Sequence, residues 1–235
     1  MLIIKTTINS GVEIIYENTS VMLDALSSEP VYQFSALSDE MTKKIWLEHE
    51  EKNPNVLFFT HTHADHFSET LVRESAWRWP HTFFIAPAKV VDRQLLLAQD
   101  VEHYTSSNLD MHFIKTTHLP INLPDCPHYA CYMTIGPRKI LFAGDCSVCD
   151  TNLLHYLQGL SIDLAILPFI WWTFPRGRRA IEEILKPAHV LLVHLPDKNK
   201  DVSGIRAYLL TLLTAHKTDI DVRVAWDPFT TEHFD

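Results

Sequence analysis

Four side chains with metal-binding chemistry lie within six consecutive residues: His61, His63, Asp65 and His66. Three histidines at fixed places in one hexapeptide would be expected only about 0.05 times by chance in a chain of this composition. His61 and His63 are two residues apart on extended chain, so their side chains point the same way and can chelate one ion. Asp65 and His66 follow as the chain turns into a helix, where they can reach a second ion. The segment therefore predicts a metal site, and the alternative is a surface histidine cluster on a loop.

The motif His61-x-His63-x-Asp65-His66 after an apolar strand resembles the signature of the metallo-β-lactamase superfamily. Members of this superfamily carry a further ligand after a later strand, an aspartate in a Gly-Asp pair, and a last histidine after a strand near the C-terminal end. The corresponding residues here are His118 after 112–117, Asp145 after Gly144, and His194 after 190–193. The order matches over nearly the whole chain. The resemblance implies an α/β protein with a four-layer αββα sandwich, formed by a single domain over residues 1–235.

The resemblance also implies a site with two divalent ions, most simply zinc, with manganese or iron as alternatives. One ion would be held by His61, His63 and His118, and the second by Asp65, His66 and His194, with Asp145 bridging both. A hydroxide shared by the ions would be the nucleophile, because metal coordination lowers the pKa of water to about 7. Asp65 could in addition orient the attacking water as a catalytic residue.

The resemblance leaves the third-motif ligand open and excludes some subfamilies. His128 lies closer to Asp145 in the sequence and is the alternative to His118 as third-motif ligand. We favour His118 because it directly follows a strand, as in members resembling ascorbate-6-phosphate lactonase and the N-acylphosphatidylethanolamine phospholipases. The familiar Gly-His-Thr-Pro-Gly form is absent, which argues against a true β-lactamase or a glyoxalase II.

The elements that must position these residues alternate between strands and helices. We expect an antiparallel meander over 2–8, 12–16 and 20–24, then a helix capped by Ser38 that runs to about Glu51. Strands at 56–60, 82–85 and 112–116 are interspersed with helices over 67–78 and 87–98, and strands 129–135 and 139–143 form a hairpin. In the last third, strands at 164–167, 190–193 and 222–224 alternate with helices over 177–186 and about 202–216. This alternation predicts layered α/β architecture, with helices covering the sheet faces.

Composition limits the substrates and the compartment. The 20 basic residues are outnumbered by 29 acidic ones, and the net charge of −9 disfavours a nucleic acid substrate and favours a small molecule. We expect no membrane span, since charges or prolines interrupt every hydrophobic run. The first residues read as a strand and not as an export signal, so a soluble, cytoplasmic protein is expected.

Several other residues have side chains that could contribute to a site. Cys126, Cys131, Cys146 and Cys149 are expected as reduced thiols in packing roles, with a structural zinc as the sharper alternative. The segment Trp171–Arg176 with Arg178 and Arg179 could form a pocket wall for an anionic substrate, or simply an aromatic packing loop. Asp24 is expected to cap a turn and His189 to be a packed or solvent-facing residue. No ligand-like companions are evident for five further histidines: His103, His112, His155, His216 and His233.

The favoured function is metal-dependent hydrolysis of an ester, lactone or phosphoester in a small molecule. A phosphodiesterase or nuclease of the same fold is the nearest alternative. A diiron redox protein comes next, although such relatives typically place Glu where this chain has Ala64 and carry a flavodoxin domain. A non-catalytic metal-binding regulator is the last alternative.

Overall fold

A computed structural model describes residues 1–119, 125–148 and 150–235. In these residues the strands form two sheets of seven strands each. The first sheet contains β1 (Leu2–Thr6), β2 (Val12–Tyr16), β3 (Thr19–Leu23), β4 (Val56–Phe58), β5 (Phe83–Ala86), β6 (Gln94–Leu96) and β14 (Thr231–Phe234). The second contains β7 (Val101–Ser106), β8 (Leu109–Thr116), β9 (His128–Ile135), β10 (Arg138–Phe142), β11 (Leu164–Pro168), β12 (His189–Val193) and β13 (Asp221–Val224).

Each sheet has an antiparallel half and a parallel half. The first has the order β14-β1-β2-β3-β4-β5-β6 and becomes parallel from β3 onward, and the second has the order β13-β12-β11-β10-β9-β8-β7 and is parallel from β10 to β13. The predicted N-terminal meander and the β9–β10 hairpin are confirmed. Open α/β sheets bind ligands in the crevice beyond the carboxyl ends of their parallel strands. A ligand-binding site is therefore expected in the loops that follow β4, β10 and β12.

Three apolar clusters account for the layers. One cluster lies between the sheets and combines side chains such as Ile14 and Phe58 from the first with Phe113 and Ile166 from the second. A second cluster packs helices α3 (Thr151–Leu157), α4 (Ile170–Thr173) and α6 (Ile205–Ala215) on the outer face of the second sheet. A third packs α1 (Asp39–Glu48) and α2 (Glu69–Arg78) on the first sheet. The predicted four-layer αββα architecture is confirmed.

The helix predicted over 87–98 is wrong. The chain there forms bends and then the short strand β6, and the Gln94 side chain accepts hydrogen bonds from the backbone N–H groups of Val90 and Val91 and donates one to the Ala88 carbonyl. A side-chain amide thus satisfies the backbone groups that a helix would have paired internally. Strands β7 and β14 and helix α3 were not anticipated.

The other predicted helices are present with shifted bounds. The helix expected over 177–186 is α5 (Pro175–Arg179) followed by a π-helical segment, Ala180–Leu185, that stops at left-handed Lys186 before Pro187. The last helix, α6, begins at Ile205. None of the helices in the described residues combines the length and apolarity needed to cross a bilayer.

Candidate metal centre

Seven predicted ligands lie at one end of the two sheets, and we call them the central cluster: His61, His63, Asp65, His66, His118, Asp145 and His194. Each follows a strand: 61–66 comes after β4, His118 after β8, Asp145 after β10 and His194 after β12. Hydrogen bonds join these loops in pairs. The Leu119 N–H donates to the Asp145 carbonyl (2.8 Å), and Asn9 bridges the other two loops, because its carbonyl accepts from the His194 N–H (2.9 Å) and its side-chain amide donates to the Asp65 carbonyl (2.9 Å). Residues up to 133 positions apart in the sequence are thereby held within a few ångströms.

The cluster divides into two groups of three. His61, His63 and His118 form the first, with Nε2 of His61 and Nε2 of His118 3.3 Å apart and ring centroids 4.6 to 4.7 Å apart. Asp65, His66 and His194 form the second, in which His194 Nε2 lies 2.9 Å from His66 Nε2 and 3.4 Å from Asp65 Oδ2. In each group the ligand atoms lie within 4.8 Å of one another, close enough to share an ion.

Asp145 lies between the two groups. Its Oδ2 is 3.4 Å from His66 Nε2 and 3.8 Å from His118 Nε2, while its Oδ1 is 3.7 Å from His194 Nε2. The Asp145 side chain is 11% exposed, and its Oδ1 has no hydrogen-bond partner among the described residues. A buried carboxylate oxygen without a donor is costly unless a cation completes its environment. This position fits an ion on either side.

The loop before Asp145 requires glycine. Gly144 has a φ of +53°, and a Cβ there would lie 2.7 Å from the Thr60 side chain and 2.9 Å from His128 Nε2. The close approach of this turn to Thr60 is what brings Asp145 alongside the histidines that follow β4.

Asp24 orients two of the histidines, a role the sequence interpretation missed. It is 1% exposed, and its carboxylate accepts hydrogen bonds from the Thr60 N–H (2.8 Å), the Thr60 hydroxyl (2.7 Å) and His66 Nδ1 (2.8 Å). Because the Thr60 hydroxyl donates to Asp24, its oxygen is left to accept from His61 Nδ1, 2.9 Å away. Both imidazoles are thereby protonated on Nδ1 and present Nε2 to the centre, as metal-binding histidines do. The Asp24 carboxylate contacts Nδ1 of His66 directly and acts on Nδ1 of His61 through the Thr60 hydroxyl. Asp24 therefore positions both rings without facing the centre of the cluster.

The position of Asp24 in the sheet explains its reach. It follows β3 directly, and β3 pairs in parallel with β4, with Leu23 opposite Phe58. The residue after one strand thus lies beside the loop that leaves the other. Asp24 also has a φ of +47°, which aspartate and asparagine tolerate better than most residues. The signal in the sequence was an aspartate at the end of a buried strand.

Burial and neighbouring charges set the protonation states. Burial lowers the pKa of His61 well below its usual value, with the nearby histidines adding to the effect, and burial likewise lowers the pKa of His118. For His66 burial acts in the same direction, but the carboxylates of Asp145 and Asp24 outweigh it and raise its pKa well above its usual value. Burial would raise the pKa of Asp145, yet the charges of His194 and His66 hold it far below its usual range. The ionised carboxylates therefore favour positive charge at this place, and a metal ion would bind by displacing a proton from His66.

His128 lies beside the first group without joining it. Its ring is buried, its Nδ1 is 2.6 Å from the Thr116 hydroxyl, and its centroid is 5.1 Å from that of His61 and 5.5 Å from that of His118. The three-residue groups within ligand distance include His118 and not His128. This geometry favours His118, and its role as ligand stays a prediction.

The Trp171–Arg179 segment and His189 lie in surroundings that differ from the central cluster. Trp171 and Trp172 lie on α4, and their side chains are buried in the apolar cluster on the outer face of the second sheet. Trp171 donates to the Cys146 carbonyl (3.0 Å), and Arg178 donates to the Trp172 carbonyl (2.5 Å). These contacts favour the packing interpretation of this segment. His189 pairs with Asp221 at 2.9 Å.

Two of the cysteines, Cys131 and Cys146, lie in separate apolar clusters, and burial raises the pKa of both thiols. Cys126 Sγ lies 3.5 Å from His63 Nε2. Cys149 lies outside the described residues. No group of potential ligands found in the described part of the chain includes a cysteine. The structural zinc considered for these residues therefore has no support from the geometry.

One expectation about the other histidines is wrong. His103 and His112 do have a ligand-like companion, because Asp110 lies within ligand distance of both. The strand that carries His103 was not anticipated, so the pairing of the two histidines was not either.

Comparison of this chain with known proteins finds similarity of structure but none of sequence family. No protein-family model matches the chain, and no curated protein matches its sequence. Among solved structures, the metallo-β-lactamase fold protein YhfI from Bacillus subtilis is similar over 99% of both chains, with 16% identity and a TM-score of 0.64. Igni18, a metallo hydrolase from Ignicoccus hospitalis, is similar over 100% of both chains, with 14% identity and a TM-score of 0.64. CmlA, a diiron β-hydroxylase from Streptomyces venezuelae, is similar over 99% of this chain but 54% of its own length, with 13% identity and a TM-score of 0.65.

Proposed function

We propose that this chain, which has the metallo-β-lactamase fold, is a metal-dependent hydrolase whose central cluster holds two divalent ions. The observation that carries the proposal is the position of Asp145, with one oxygen turned toward His66 and His118 and the other toward His194. One group of three ligands would hold a single ion. Because the buried Asp145 carboxylate lies between two such groups, it could contact one ion in each.

The ligand sets follow from the two groups. His61, His63 and His118 would hold the first ion, Asp65, His66 and His194 the second, and Asp145 would contact both. His61 and His66 already present Nε2 to the centre because their Nδ1 atoms are engaged by Thr60 and Asp24, and His118 Nδ1 donates to the Leu119 carbonyl at 2.5 Å. Such fixed rings lose little freedom when an ion binds. Imidazole and carboxylate ligands suit zinc, and they also accept manganese or iron.

The bound ions would supply a water nucleophile of lowered pKa and would polarise the group under attack. Asp65 would orient that water, and two observations support a fixed position for it: its side chain is 5% exposed and its backbone carbonyl accepts a hydrogen bond from the Asn9 amide (2.9 Å). Burial opposes ionisation of Asp65, but the hydrogen bond with His194 holds its pKa below the usual value. A fixed, ionised carboxylate beside the reacting centre can accept a hydrogen bond from water throughout the reaction.

The substrate class we infer is a small molecule with an ester, lactone or phosphoester bond, with a lactone favoured. The net charge of −9 opposes a nucleic acid substrate. Cleavage of a phosphodiester in a small molecule uses the same groups and is the nearest alternative.

A redox function is the second candidate, and the likeness to CmlA favours it, because CmlA is a diiron β-hydroxylase. The chain spans about half the length of CmlA. The central cluster contains the histidine and carboxylate ligands that iron also accepts, so the identity of the bound metal separates the two functions.

The test uses the full chain, with bound zinc, manganese and iron measured by elemental analysis and turnover measured on ester, lactone and phosphodiester substrates. We expect two zinc or manganese ions per chain, turnover in one substrate class, loss of activity after chelation and recovery when the metal is returned. Two irons with oxygen consumption would overturn hydrolysis in favour of redox chemistry. A full complement of ions without turnover in any class would overturn it in favour of a regulator.

A further inference from the structure

We propose that His103, Asp110 and His112, which we call the hairpin cluster, form a separate site for a divalent ion of the zinc type. The cluster lies on the outer face of the hairpin formed by β7 and β8, away from the central cluster at the end of the strands. Its three ligand atoms lie within 4.8 Å of one another.

The register of the hairpin brings the three side chains together. His103 pairs directly with His112, and Thr105 with Asp110. Since side chains two apart on a strand share a face, these four residues lie on one face of the hairpin. The opposite face carries Tyr104 and Met111 into the core between the sheets. Packing of Tyr104 and Met111 in the core therefore directs the other face of the hairpin outward. That outer face carries two histidines, the Asp110 carboxylate and the Thr105 hydroxyl.

The Asp110 carboxylate lies between the two imidazoles. Its Oδ1 is 2.5 Å from His103 Nε2, its Oδ2 is 3.3 Å from His112 Nε2, and the two ring centroids are 4.5 Å apart. Zinc bonds of roughly 2.0–2.2 Å place neighbouring nitrogen and oxygen ligands about 3–3.5 Å apart. Small rotations of partly exposed side chains therefore suffice to open the cluster around an ion.

Tyr156 of helix α3 fixes which nitrogen of His112 faces the site. Its hydroxyl lies 2.8 Å from His112 Nδ1. When Nδ1–H donates to the tyrosine oxygen, the lone pair on Nε2 is directed at the ion, the arrangement found around metal-binding histidines. A simple ion pair between a histidine and an aspartate requires no partner on the second nitrogen of the ring, so the Tyr156 contact supports a metal site.

The exposure of the hairpin cluster suits an exchangeable ion. The side chains of His103, Asp110 and His112 are 52%, 41% and 30% exposed. Three protein ligands leave a position for water, which is typical of an open zinc site.

The test is equilibrium dialysis of the full chain against a series of free Zn²⁺ concentrations, with bound zinc counted per chain. We expect His103→Ala to bind one zinc fewer than the wild type at saturation. The matched control is His233→Ala, which removes an exposed histidine from β14, the edge strand of the other sheet, and which should bind as many ions as the wild type.

Asp110→Asn provides a second variant, because it keeps the shape of the side chain and removes its charge. It should lose the same single zinc, with an unchanged circular dichroism spectrum. If His103→Ala and Asp110→Asn bind as much zinc as the wild type at every concentration, the cluster is only a surface ion pair and the proposal is overturned. The result is a difference between variants with the same central cluster, so it does not depend on how many ions that cluster holds.

Discussion

The central cluster and the hairpin cluster both combine histidines with carboxylates, but they are supplied and enclosed differently. Loops after four strands, from residue 61 to residue 194, supply the central cluster, and most of its side chains are buried. One hairpin supplies the hairpin cluster, and its side chains are 30–52% exposed. In the first, three imidazoles have their Nδ1 atoms engaged by Thr60, Asp24 and Leu119. In the hairpin cluster, only the Nδ1 of His112 has such a contact, with the Tyr156 hydroxyl, among the described residues.

The difference in burial implies a difference in what the protein gains from an ion. Buried carboxylates such as Asp145 lack water to solvate them, so a cation in the central cluster offsets a desolvation cost already present in the fold. The carboxylate of the hairpin cluster is solvated and tolerates the absence of an ion. We therefore expect tight binding and chemistry in the central cluster, and weaker, exchangeable binding in the hairpin cluster.

The largest effect is expected from Asp145→Ala. Removing the carboxylate between the two groups should release at least one ion, and losing several kcal/mol of stabilisation at the reacting centre lowers hydrolysis roughly 10³-fold. Bound metal and the rate on the best substrate from the panel are the measurements. Asp219→Ala, the same change at an exposed position, should leave both unchanged. A variant that keeps all of its metal would show that Asp145 is not a ligand.

His118→Ala should remove one ligand from one group and so lower metal content by about one ion. His128→Ala should leave metal content near that of the wild type, because His128 belongs to neither group of closely spaced ligand atoms. His128 is buried, and its removal should instead lower the free energy of unfolding by about 1–3 kcal/mol. Metal content that falls more in His128→Ala than in His118→Ala would reverse our choice of ligand.

The parts of this molecule that the sequence predicted are those in which neighbouring residues carry the signal. The buried parallel strands β4, β11 and β12 contain continuous apolar runs, and the histidines that follow β4 stand out because of their spacing. The confirmed layers of the fold follow from such runs. The seven residues of the central cluster also come together, and their roles as ligands stay predictions that the variants above address.

The parts that were missed depend on contacts between distant residues. Asp24 acts on Thr60 and His66, 36 and 42 positions later, and only the parallel pairing of β3 with β4 reveals this. Strand β7 is mostly exposed at the edge of its sheet, so it lacks a strong apolar pattern. Without it, His103 and His112 had no visible relation. The helix predicted over 87–98 failed because one side chain, Gln94, supplies the hydrogen bonds of that loop.

Asp24→Asn tests whether Asp24 positions the histidines of the central cluster. Asparagine tolerates the left-handed backbone at this position, but it cannot accept the same three hydrogen bonds, so the rings of His61 and His66 lose their fixed orientation. We expect the affinity of the central cluster for zinc to fall about 10–100-fold. Asp201→Asn alters a carboxylate that caps α6 and should change stability without changing zinc affinity. Equal zinc affinity in Asp24→Asn and the wild type would leave Asp24 with a purely structural role.

The smallest effect is expected from Tyr156→Phe, which removes one hydroxyl beside His112 and leaves every ligand in place. A single hydrogen bond contributes about 1 kcal/mol, so zinc affinity of the hairpin cluster should fall roughly fivefold. The affinity of the central cluster should not change. Tyr208→Phe, at an exposed position on α6, is the matched control for zinc dialysis. If Tyr156→Phe weakened zinc binding in the central cluster as much as in the hairpin cluster, the two would be coupled through β8, which leads from His112 to His118, and could no longer be treated as independent sites.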